Sequence, residues 1–71
     1  DALEAYDEVI RRNPDYVPGY QMKAQLLMEL DRHEDAEGVI KAGMDKAEAA
    51  GNNKAYGELG DLLGEVELVI G

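Results

Sequence analysis

Cysteine, serine, threonine and tryptophan are absent from this 71-residue chain, and histidine occurs once. Without cysteine there is neither a disulfide nor a thiolate metal site to brace a small fold. Apart from four tyrosines no hydroxyl or thiol nucleophile exists, which excludes covalent catalysis of the usual kinds. His33 has Asp31, Glu34 and Asp35 beside it, but one histidine among adjacent acids lacks the ligand spacing of a metal site. It reads instead as a packing or capping residue at a helix start. No glycine-rich phosphate loop and no calcium loop occurs. The sequence therefore reads as a non-enzyme that holds no cofactor and no metal.

Positive charge is scarce as well: seven basic residues stand against sixteen acidic ones, for a net charge of −9. Phosphate binding needs clustered lysine and arginine, so nucleic acid and anionic membrane are poor partners for this chain. Acidity of this order attracts basic or neutral segments and also keeps a small domain soluble. No apolar run approaches the roughly 18 residues of a membrane span, and no signal peptide is present. A cytoplasmic location is the working expectation. The chain opens at Asp1 within a helical pattern, which suggests a fragment with targeting information upstream.

What is present is helical periodicity from end to end. Apolar residues at 2, 3, 6, 9 and 10 give a first helix over 1–12, ended by Asn13-Pro14 because a residue before proline avoids the helical region. Pro18 suits a first turn, so a second helix starts near it and runs to Leu30 or Asp31, with Tyr20, Ala24, Leu27 and Leu30 on one stripe. The short Asp31-Arg32-His33 link turns a third helix back antiparallel over about 34–50, with Glu34, Asp35 and Glu37 at its positive end. Gly51 suits the left-handed residue that follows it. Asn52 or Asn53 caps a fourth helix to about Val69, with apolar positions 56, 59, 62, 63, 66, 69 and 70. At this length a single core supplies only about 3–5 kcal/mol of net stability.

A motif recurs along these helices. Ala2 and Tyr6, with Val9, Ile10 and Pro14 beyond, form one unit's end. Tyr20-x2-Lys23-Ala24-x2-Leu27, then Ala36-x3-Ile40 and Gly43, form a whole unit. Tyr56, Leu59, Gly60 and Leu63 begin another, 36 residues after Tyr20, near the period of roughly 34 that marks helix-turn-helix arrays. The pattern resembles the tetratricopeptide repeat over almost the whole chain. That resemblance implies an all-α fold of four antiparallel helices, a fragment of a right-handed superhelix. Residues 1–16 are then the second helix of a truncated repeat, 17–52 a complete repeat, and 53–71 a following or capping helix. Lys23 stands where the family has leucine. Glu48 stands where a proline would stop the third helix, which is expected to run half a turn longer.

The resemblance also implies a function: binding of a partner peptide or protein on the concave face. By position that face comprises Gln21, Gln25, Met28 and Glu29 on the second helix, and Lys54, Gly57, Asp61 and Glu65 on the fourth. Its chemistry is two amides, one soft thioether, three carboxylates and one lysine, and it favours a basic or neutral segment. A carboxylate clamp of the kind some family members carry is not expected, since only Lys54 could serve it. Gly43 and Gly60 fall where small residues let helices approach. Gly57 and Gly64 fall on the groove stripe, where they leave room for a partner backbone or are simply tolerated. Two alternatives remain: self-association, including a homodimer through Leu3, Tyr6 and Ile10 on the first helix, and a terminal cap of a longer array.

Overall fold

The computed structural model describes residues 1–70; Gly71, the last residue of the expected 53–71 unit, lies outside them. Four helices follow in order: α1 Ala2–Arg12, α2 Val17–Glu29, α3 His33–Ala49 and α4 Asn53–Ile70. Each boundary has a local cause. The Asp1 carboxylate accepts the Glu4 N–H at 2.9 Å and opens α1, and Pro14 follows its last turn. Pro18 sits in the first turn of α2, where its missing N–H goes unneeded.

α2 and α3 end the same way. The Arg32 N–H reaches the Leu27 carbonyl at 2.8 Å and the Asp31 N–H reaches Met28 at 3.1 Å. After α3 the matching bonds run from Asn52 to Ala47 at 2.8 Å and from Gly51 to Glu48 at 3.1 Å. Both are Schellman caps, which need a left-handed residue: Gly51 has φ 69° and Asp31 has φ 61°. The first was foreseen from glycine. The second was not, because aspartate reaches that conformation only at a cost. Asn52 then opens α4, its side-chain oxygen accepting the Ala55 N–H at 3.1 Å. α3 does run one residue past Glu48.

α3 is the centre of the molecule, packed on α2 along one side and on α4 along the other, while α2 also touches α4. Among the described residues, α1 touches α2 alone. The core comprises Val17, Ala24, Leu27, Ala36, Ile40, Ala47, Ala55, Leu59 and Val66. Tyr20 joins it, with its hydroxyl donating to the Pro14 carbonyl at 2.6 Å. Gly43 is where three helices converge: a Cβ there would lie 2.8 Å from the Tyr20 Cβ and 3.2 Å from Leu59 Cδ1. Lys23, out of pattern for leucine, reaches across to α1 and pairs with Asp7 at 2.5 Å.

Two apolar stripes differ from expectation. Leu30 is 51% exposed, because it faces the end of α1, beside Ala2, Leu3 and Leu26, instead of α3. On α4 only one edge of the apolar stripe is covered. Leu59 and Val66 are fully buried, whereas Tyr56 is 41% exposed and Val69 and Ile70 are exposed too. One neighbouring layer covers about half of so wide a stripe, and no described helix lies on the other side. Ala55, buried in the core, stands outside the expected stripe.

Candidate binding face

α2 and α4 lie in contact with α3 behind them both, so their outward faces form one surface. Residues 21, 25 and 28 repeat at helical spacing on α2, with Glu29 at the edge, and 54, 57, 61 and 65 do so on α4. Gln21 and Met28 are half-buried, and Met28 packs onto the core. Gln25, Glu29, Lys54, Gly57, Asp61 and Glu65 are exposed. Among the described residues none of these four charged groups enters an ion pair. Elsewhere some carboxylates are engaged, as with Glu8 and Arg12 at 2.6 Å or Asp35 and Arg32 at 2.9 Å, and others, such as Glu34, Asp45 and Glu58, enter no ion pair among the described residues. Three carboxylates and one ammonium that face solvent without partners leave this surface negative.

Hollows of about 240 to 460 Å³ open elsewhere on the molecule, and those five are lined by none of the eight residues. The largest sits at the α2–α3 turn, where Arg32 and His33 face Val69 and Ile70. His33 is half-buried there at the start of α3. Among the described residues no group of three histidine, cysteine, aspartate or glutamate side chains could hold a metal ion. The glycines divide clearly. Gly57 and Gly64 have nothing within 4 Å of an added Cβ, and Gly60 meets only Met44 Cε at 3.9 Å. The close approach assigned to Gly43 is present, whereas that at Gly60 is only ordinary contact.

Leu3, Tyr6 and Ile10 of α1 are all half-buried. Leu3 leans on the core and Ile10 Cγ1 lies 3.4 Å from where a Cβ of Gly19 would stand. Among the described residues one flank of α4, Tyr56 with Leu63, stays uncovered; its signal in the sequence is that Tyr56 repeats Tyr20.

The family model for the tetratricopeptide repeat matches residues 5–38, from α1 through α2 into α3. A crystal structure of a tetratricopeptide repeat domain protein from Salinibacter ruber superposes with a TM-score of 0.86 at 33% identity. The match covers 93% of this chain and 74% of that one. This chain belongs to the tetratricopeptide repeat family. Tetratricopeptide repeat domains are in general non-catalytic protein-interaction modules that bind proteins or peptides. No curated protein matches the chain. Among the described residues, no helix of this repeat domain is long and apolar enough to cross a membrane.

Proposed function

We propose that the paired faces of α2 and α4 bind an extended basic or neutral segment of a partner protein. The observation that carries this reading is a surface of exposed or half-buried side chains, its charged groups outside any ion pair among the described residues, on two adjacent helices that share one support. Gln21 and Gln25 offer amides to a peptide backbone and Met28 an adaptable apolar contact. Glu29, Asp61 and Glu65 supply a negative field that the single Lys54 on the same face only partly offsets. In this reading residues 1–16 are the second helix of a truncated repeat, 17–52 a complete repeat, and 53–71 a following or capping helix. A cytoplasmic location belongs to the same reading, supported by the lack of the disulfide framework common in small secreted domains.

An array of peptides graded by charge tests the face. Lysine-rich and neutral segments should be retained and acidic ones rejected. Asp61→Lys combined with Glu65→Lys should weaken a lysine-rich peptide about tenfold, roughly 1.4 kcal/mol, with the helical circular-dichroism signal intact. Equal affinities for the parent and double variant at low salt would remove this face from consideration.

A further inference from the structure

α1 and α3 both pack on α2 and do not touch each other, so a trench runs between them with α2 as its floor. Tyr20, Lys23 and Leu27 form that floor at helical spacing, on the side of α2 away from Gln21, Gln25 and Met28. Two hollows of about 430 and 320 Å³ share Lys23, Asp35 and Val39 and so join along the trench. The larger is lined by residues between 10 and 42, drawn from three consecutive helices. It is also the more apolar, with Ile10 on the α1 wall, Tyr20 below, and Val39 and Ala42 on the α3 wall.

The charges along the trench are met within the chain, with one exception. Lys23 is half-buried and its ammonium is held by Asp7 at 2.5 Å, so its aliphatic stem serves as floor. Asp35 takes Arg32 at 2.9 Å. Glu34, exposed at the rim of the larger hollow, enters no ion pair among the described residues. Gly38 stands in the α3 wall, where an added Cβ would meet nothing within 4 Å. Within the fold that glycine only weakens a helix; in the wall it leaves the space of a side chain.

We propose that this trench is a second docking site, for a partner protein segment that carries an aliphatic side chain next to a basic one. The aliphatic group seats over Ile10, Tyr20 and Val39 in the space that Gly38 leaves, and the cation meets Glu34 at the rim. The charge pattern fixes the partner's sign. With Lys23 and Arg32 already paired, an acidic segment finds no free cation in the trench and is repelled by Glu34 and by the net charge of −9. A purely cationic segment has no group for the hollow and gains only an exposed ion pair. The trench thus selects on the apolar anchor and the α2–α4 face on charge, so the two readings fail separately.

Residue-resolved amide NMR tests the trench with two short peptides, one with a leucine between two lysines and one with serine in the leucine's place. The leucine peptide should shift Ile10, Gly38, Val39 and Ala42, and the serine peptide should bind there about tenfold more weakly. Gly38→Leu fills the hollow from its own wall; it should melt no lower than the parent and bind the leucine peptide there about tenfold more weakly. Glu34→Gln should weaken the same peptide about threefold at low salt, as loss of an exposed ion pair does. Asp61→Lys with Glu65→Lys should leave these four shifts unchanged. Should Gly38→Leu lose its circular-dichroism signal, Ala42→Gln, at an exposed position on the same wall, should show the same loss of binding. No shift at the four residues would overturn the proposal, as would equal binding of the two peptides there. So would a folded wall variant that binds the leucine peptide as the parent does, or shifts that vanish with the Asp61 and Glu65 changes, which would place the leucine peptide on the α2–α4 face.

Discussion

Gly38, Gly57 and Gly64 meet nothing within 4 Å of an added Cβ, while Gly43 has Tyr20 Cβ at 2.8 Å. The same residue type therefore answers two different demands. At Gly43 the absent methyl lets α2, α3 and α4 converge, and Gly43→Ala should cost about 1–3 kcal/mol through overpacking. At the other three positions the glycine only loosens the helix, and each Gly→Ala change should add about 1 kcal/mol. For a domain of this size that is a rise of about 4–8 °C per substitution in thermal melts. Gly57→Ala separates folding from function. If a partner backbone uses the opening, that variant melts higher yet binds its peptide more weakly; unchanged affinity would assign Gly57 to plain tolerance. Position in the repeat pointed to Gly43 correctly, but could not tell a crowded glycine from an open one. That distinction depends on which neighbours converge, and neighbours are not written in local sequence.

At the scale of the helix the sequence was legible because each terminus is a local event. Asp1, Pro14, Pro18, Gly51 and Asn52 act on residues within one turn of themselves, and the helix ends lie within about a residue or two of the expected ones, the usual uncertainty of a helix end. The exception is the cap at Asp31, where a residue without glycine's freedom adopts the left-handed conformation. Burial was less legible. Periodicity says that α4 has an apolar stripe, but the covered half depends on how many helices stand beside it. The same count makes α1 the weakest element. It is an 11-residue helix with no buried side chain, shorter than the roughly 12–15 residues at which isolated helices become even marginal in water. Its cross-helix ion pair, Lys23 with Asp7, is partly exposed and contributes on the order of 0–1 kcal/mol. In dilute solution, hydrogen exchange should find α1 amides opening at far lower free energy than those around Ile40 and Gly43 in α3. Uniform protection across all four helices would show that α1 is held by contacts beyond α2.

For the whole molecule, the motif spacing was enough to give the architecture, since a repeat must stack its faces to bury them. The face proposed for binding was legible only by position, through the correspondence of α2 and α4. Its negative field follows from Glu29, Asp61 and Glu65, which among the described residues enter no ion pair that would cancel it. A single titration tests this most directly: two-dimensional amide NMR of the isotopically labelled chain with a lysine-rich peptide, at low and at physiological salt, beside its glutamate-rich counterpart. Shifts should gather on Gln21, Gln25, Met28, Glu29, Lys54, Gly57, Asp61 and Glu65, and shrink as salt screens exposed charges over about 8 Å. The acidic peptide should leave the spectrum unmoved. Shifts concentrated on α1 or α3, or an equal response to both peptides, would contradict the account.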